Sequence, residues 1–257
     1  MLTDSHCHLD KVDLDLFDNK FENMIKAAEE ADVNRFLCVC IDTENFSKVL
    51  KPAQDYSNIY CSVGVHPTHK DSHHPTVEEL VELAAPEEVI AIGETGLDYF
   101  RCEDEDMTWQ HDLFRTHIQA AKIVKKPLII HTREAKEDTI RILAEENANE
   151  VGGVMHCFVE DWETAQKAMA LNFYISFSGI VSFNSAKELQ EVAKKMPSDM
   201  YLIETDAPWL APVPKRGKPN QPAYVKYVAE KMADLRECSY KTIAEESTAN
   251  FNRLFKV

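Results

Sequence analysis

The sequence predicts a single (β/α)8 barrel: eight parallel strands inside an outer ring of helices, with residues 1–257 forming one domain. Three observations carry this expectation. Short apolar runs rich in β-branched or aromatic residues recur along the chain, as buried parallel strands do. Longer stretches with apolar residues spaced near 3.6 separate them. Eight such runs within 257 residues have the size and rhythm of this barrel. A doubly wound open sheet is the alternative, but the chain has only seven glycines and neither GxGxxG nor GxxxxGK[ST].

In chain order, the expected strands are LTDSHCH (2–8), VNRFLCVCI (33–41), NIYCSVGVH (58–66), EVIAIGETGL (88–97), PLIIH (127–131), VGGVMHCF (151–158), FYISFSG (173–179) and MYLIETD (200–206). Helical spacing marks 17–31, 75–85, 105–124, 134–147, 161–171, 184–195 and 222–236. No linker, low-complexity tract or internal repeat divides the chain.

Composition narrows the function. A hydrophobic fraction of 44% and a charged fraction of 28% are ordinary for a globular protein. No apolar stretch approaches the roughly 20 residues of a membrane helix. The opening MLTDSHCHLD lacks the basic start and apolar middle of a signal peptide. The expectations are a cytoplasmic location, no membrane partner, no obligate protein partner and a monomer. Seven scattered cysteines without a CxxC pair read as buried reduced thiols. A formal net charge of −16 argues against a broad basic surface that wraps duplex DNA. Any nucleic-acid binding is expected to be local, with metal ions supplying positive charge.

The chemistry gathers at the strand ends. In this barrel, active sites lie at the C-terminal ends of the strands. There the sequence places His6 and His8, then His66, Glu94, His131, His156 and Asp206. Side chains alternate along a strand, so His6 and His8 point the same way and can reach one ion, while Cys7 faces outward. An isolated HxH is equally a pair of polar strand residues; Asp4 and the first-strand position favour a ligand pair. Glu94 has two oxygens and can bridge two ions, or else serve as a cap or salt bridge. His131 and His156 singly read as core histidines and together as a nitrogen-rich site. Asp206 can bind an ion and accept a proton from the attacking water. Glu204, two residues earlier, is expected to support the site or touch substrate.

These residues lie in the motifs DSHCHLD (4–10), VGVHP (63–67), IGETGLDY (92–99), KPLIIHTREA (126–135), MHCF (155–158), SGIVSF (178–183) and ETDAPWLAPVPKRGKPNQPAYV (204–225). In that order and over nearly the whole chain, they resemble the TatD family of metal-dependent hydrolases, a branch of the amidohydrolase-like barrels. The resemblance implies a site for two divalent ions. His6, His8, Glu94 and Asp206 would hold the first; Glu94 would bridge to the second, held with His131 and His156. His66 would contact a substrate phosphate. The implied activity is deoxyribonuclease, in several relatives a 3′-to-5′ exonuclease on single strands. One departure is visible: Val159-Glu160 stands where the family usually has Ser-Gly, which touches substrate preference more than metal binding.

The expected reaction is metal-assisted hydrolysis with Asp206 and Glu94 as the catalytic carboxylates. Zinc suits the histidine–carboxylate donors; magnesium, manganese, cobalt and nickel are alternatives. Arg133, Arg216 and Lys218 are expected phosphate contacts, the last two from the basic stretch 215–218, which otherwise reads as a solvated loop. Phe100, Phe158 and Trp209 are candidates for stacking on bases or for packing. Two rival functions remain: a metal hydrolase of small amides, lactones or phosphotriesters, and a non-enzymatic binding protein on the same barrel.

Overall fold

The computed structural model describes residues 1–101 and 106–257. Among them, β1 (Leu2–Cys7), β2 (Val33–Cys38), β3 (Ile59–Val63), β4 (Val89–Asp98), β5 (Leu128–Arg133), β6 (Gly153–Met155), β7 (Phe173–Phe177) and β8 (Tyr201–Ile203) form one sheet in chain order. Between and after them run α1 (Phe21–Glu29), α2 (Phe46–Asp55), α3 (Val77–Leu83), α4 (Thr108–Val124), α5 (Lys136–Glu145), α6 (Trp162–Ala170), α7 (Lys187–Lys195), α8 (Val225–Leu235) and α9 (Tyr240–Phe255). Parallel strands in sequence order, joined by helical crossovers, are the topology of a (β/α)8 barrel. Every residue of β1 and β4 is buried, as in strands covered on both faces. No described helix is long and apolar enough to cross a membrane.

The structure departs from the sequence reading in four places. The strands are shorter than the apolar runs, so His8, His66, His156 and Asp206 stand just beyond β1, β3, β6 and β8. The helix expected to begin at residue 105 has its first residue outside the described residues, and α4 starts at Thr108. Helix α2 lies outside the expected helices; Pro52 inside it removes a donor from a short helix, and burial of Phe46, Val49 and Ala53 holds it nonetheless. Helix α9 was also not anticipated, although Ser239 caps it by accepting from the Thr242 N–H.

By packing, the chain divides into two compact units. The first comprises residues 1–38, 157–162 and 176–257. Here α9 buries Phe251, Leu254 and Phe255, and the Asn250 amide donates to the Ser198 and Tyr201 carbonyls at 2.9 Å each. Those bonds fix the approach to β8. The end of β1 and the segment after β8 are also joined here: the Asp206 N–H donates to the His6 carbonyl at 3.0 Å and the His8 N–H to the Ala207 carbonyl at 2.8 Å.

The second unit comprises residues 39–156 and 163–175. Its core includes Ile92, Phe114, Ile118, Ile129 and Ile130, all fully buried. Burying each such side chain contributes about 1.5–3 kcal/mol. Two polar residues of α4 reach into this core. Gln110 brackets the Asp98 backbone, accepting from its N–H and donating to its carbonyl at 2.9 Å each. His117 accepts from the Val65 N–H at 3.0 Å while its Nδ1 meets the Leu113 carbonyl at 2.8 Å. Glycine permits a close approach at one position: a Cβ on Gly96, whose φ is +133°, would lie 2.0 Å from the His131 carbonyl oxygen.

Candidate metal centre and active site

In the first unit, His6 on β1 and His8 just beyond its end come together, with their Nε2 atoms 3.2 Å apart. Cys7 points away and its thiol donates to the Leu37 carbonyl. Asp206 completes the group: its Oδ1 lies 3.5 Å from His8 Nε2 and 3.8 Å from His6 Nε2. All three residues are buried. Their placement is over-determined by polar contacts. Asp4 accepts from the Thr205 N–H at 2.8 Å and the Thr205 hydroxyl at 2.5 Å, strapping β1 to the turn that carries Asp206. Burial, only partly offset by the Thr205 bonds, pushes the Asp4 carboxyl up to about 8. Asp4 is thus a strap beneath the ligands. Asn220, also buried, donates to the Thr205 carbonyl at 2.8 Å and the Trp209 carbonyl at 2.5 Å, gripping both ends of the same turn.

Glu204 is placed as support. It is 1% exposed, with one oxygen accepting from the Cys157 N–H at 2.8 Å and the other from the Ser176 hydroxyl at 2.5 Å. Both carboxylate oxygens are thus engaged by groups of the chain itself. Phe158 is 1% exposed and packs inside. Trp209 is 47% exposed and meets His8 edge-on at 5.0 Å. Lys215 lies over the Tyr224 and Tyr227 rings, Arg216 over the Phe183 ring at 3.9 Å, and Lys218 is exposed. Val159, in the departure from the family motif, is also exposed.

In the second unit, one oxygen organises the cluster. Glu94 Oε1 lies 3.3 Å from His66 Nε2, 3.2 Å from His131 Nδ1 and 3.2 Å from His156 Nε2. Burial alone would raise the Glu94 pKa, but the surrounding imidazoles hold it well below the usual carboxylate range, so the carboxylate is ionised. Burial lowers the His66 pKa to about 4, which keeps that imidazole neutral. Behind His131 stands Asp98, whose Oδ2 is 2.9 Å from Nε2. Burial opposes the charged imidazole, but the Asp98 and Glu94 hydrogen bonds outweigh it and raise the His131 pKa. Arg133 is exposed, its guanidinium 3.5 Å from the Phe100 ring centroid.

Comparison with known proteins decides the family. The family profile described as "TatD related DNase" matches residues 3–256. The chain is 44% identical over 256 residues to the uncharacterised metal-dependent hydrolase YcfH of Escherichia coli K12, covering 100% of this chain and 96% of that protein. It is 44% identical over 260 residues to the uncharacterised metal-dependent hydrolase YabD of Bacillus subtilis, with both chains fully covered. The chain belongs to the TatD family of metal-dependent hydrolases. The crystal structure of YjjV, a TatD homologue from E. coli K12, superposes with a TM-score of 0.90 at 28% identity, covering 100% of this chain and 98% of that one. The (β/α)8 barrel is therefore the fold.

The donor atoms of this TatD-family chain suit divalent ions. Bonds of about 2.0–2.2 Å in a tetrahedron separate neighbouring donors by about 3.3–3.6 Å. The two clusters present imidazole nitrogens and carboxylate oxygens 3.2–3.8 Å apart. His66, expected from the resemblance as a phosphate contact, stands at the same separation from Glu94 as the two expected ligands. Asp98 adds the carboxylate–histidine support that metal sites use to fix ring orientation. Sequence reasoning passed over it, although Asp98 falls four residues after Glu94 on β4, where alternation puts both on one face. Asn220 carried no comparable signal, because its partners lie up to 15 residues away.

Proposed function

We propose that this TatD-family hydrolase is a deoxyribonuclease that hydrolyses phosphodiester bonds with two divalent ions, acting 3′ to 5′ on single strands. The observation that carries the reading is the Glu94 cluster: an ionised, buried carboxylate oxygen within 3.3 Å of three imidazoles, one of them backed by Asp98. His6, His8 and Asp206 would hold one ion, and Glu94, His131 and His156 the other. Sharing of Glu94 between the ions rests on the family resemblance. Bound divalent ions lower the pKa of water from 15.7 toward about 7 and offset charge on a phosphoryl group.

The chain's own residues supply the rest. Asp206 accepts a proton from the attacking water and keeps it oriented. His66 presents a neutral imidazole toward a substrate phosphate. Arg133, Arg216 and Lys218 are exposed cations suited to phosphate oxygens, and the exposed Trp209 ring beside His8 suits stacking on a base. The family description as DNase-related supports nucleic acid over small esters. With a net charge of −16, DNA binding is short and local. A monomer in the cytoplasm completes the proposal, with zinc, magnesium, manganese, cobalt or nickel as the ions.

The test is Asp206→Asn assayed on a fluorescent single-stranded oligonucleotide. Loss of at least 100-fold in kcat with metal still bound is expected, at the low end of what positioned acid–base groups contribute, about 10²–10⁴-fold. Near-normal hydrolysis by the metal-loaded variant overturns the role of Asp206. Chelator-resistant cleavage by the native protein overturns the role of the metal ions, and absent cleavage overturns the nuclease reading.

A further inference from the structure

The arginines divide into two groups. Five of the eight have protein acceptors: Arg35 on Asn252, Arg115 on Glu145 and Glu146, Arg141 on Asp138 and Glu145, Arg236 on two backbone carbonyls, and Arg253 on Asp199 and Asn250. Among the described residues, Arg101, Arg133 and Arg216 have no acceptor. In a chain with 44 acidic residues, an exposed guanidinium with no carboxylate among the described residues calls for a reason.

Arg101 and Arg133 converge on one ring. The guanidinium carbon of Arg133 is 3.5 Å from the Phe100 centroid and that of Arg101 is 4.8 Å from it. A guanidinium resting on an aromatic face keeps its N–H edge open, the edge that pairs in a fork with phosphate oxygens. The backbone that carries the ring is anchored: the Phe100 N–H donates to Asp98 Oδ1 at 2.9 Å. The other oxygen of the same carboxylate holds His131. Asp98 and Arg133 are partners in the β4–β5 register, and the Tyr99 N–H donates to the Arg133 carbonyl at 2.9 Å. Arg133 follows His131 by two residues on β5, so it leaves the strand on the same side, about 7 Å further along at a rise of about 3.3 Å per residue.

We propose that Arg101 and Arg133, mounted on Phe100, form an anion subsite for a non-scissile phosphate of the nucleic-acid strand, next to the one that reacts. The subsite extends the nuclease reading and rests on it for the identity of the strand. Its role is to hold the neighbouring phosphate so that a strand, rather than an isolated diester, is the preferred substrate. Phe100, which the sequence offered as a base-stacking residue, acts instead as the platform for the two cations.

The experiment separates the subsite from the catalytic reading. Fluorescence anisotropy with a labelled five-nucleotide thymidine strand is measured on chelator-treated protein across a potassium chloride series. Each single-strand phosphate contact contributes about −0.7 to the slope of log K against log salt. Arg101→Gln with Arg133→Gln is expected to make that slope shallower by about 0.7 and to weaken binding at low salt at least five-fold. Arg133→Lys, which keeps the charge and loses the flat face, recovers the slope more than the affinity. With metal restored, the double variant is expected to lose at least five times more kcat/KM on the strand than on bis(p-nitrophenyl) phosphate, which has a single phosphate. An unchanged slope and equal losses on both substrates overturn the subsite, even if DNA is cleaved. An arginine-dependent slope in a protein that cleaves no DNA leaves the subsite standing and overturns the nuclease reading instead.

Discussion

Replacing Asp98 by alanine tests whether the second cluster is organised from behind its ligands. In the native chain Asp98 Oδ2 holds His131 Nε2 at 2.9 Å, which turns Nδ1 toward Glu94 at 3.2 Å. The bond fixes both the ring orientation and the tautomer, and the negative charge makes Nδ1 a better donor to a cation. Removing such a partner typically weakens metal binding about 10–100-fold, or roughly 1.4–2.7 kcal/mol. The substitution also frees the Phe100 N–H, but the Gln110 bonds to the Asp98 backbone survive it, so the strand is expected to stay in place. The assay is competition for zinc against a chromogenic chelator at pH 7.5, with circular dichroism as the check on folding. One of two ions should be released at 10–100-fold lower chelator strength while the other is unaffected. Two ions retained within two-fold of native affinity would refute the argument that His131 is set by Asp98.

The remaining expectations concern protonation and ligand loss. His117 is fully buried and its pKa is lowered to about 4 by burial, against an unfolded value near 6.5. The unfolded chain therefore takes up a proton below pH 6.5 that the native chain refuses until pH 4. That stability is fully present above pH 6.5, falls by about 1.4 kcal/mol per unit below it, and is lost by about 3 kcal/mol near pH 4. Urea midpoints from pH 7 to 4.5 should show a slope shallower by that amount in His117→Gln, and identical slopes would remove His117 as the cause. Glu94→Ala should lower the content of both ions as measured by elemental analysis, whereas His156→Ala should chiefly lower one; a full complement in Glu94→Ala would end the proposal that Glu94 is shared.

What the sequence made legible follows from the range of each interaction. The strand rhythm is local, so the barrel could be read from runs such as VIAIG and PLIIH. The histidines and carboxylates stood out because they end apolar runs where core residues are otherwise apolar. Helix α2 escaped because Pro52 is a local breaker overridden by tertiary burial. Asp98, Asn220 and Gln110 look like ordinary polar residues until folding brings their partners to them. Glu204 lay on the expected face but is consumed by the Cys157 and Ser176 bonds, which no periodicity reveals. Arg101 carried no signal because its place on the Phe100 ring depends on the turn after β4.

The most direct test of the whole account is product analysis on end-labelled single-stranded DNA, comparing chelator-treated protein with the same protein after divalent metal is restored. No cleavage is expected without metal, and with it stepwise shortening from the 3′ end that saturates at two ions per chain. Cleavage that survives complete metal removal, or a fully loaded protein that leaves the DNA intact, would contradict it.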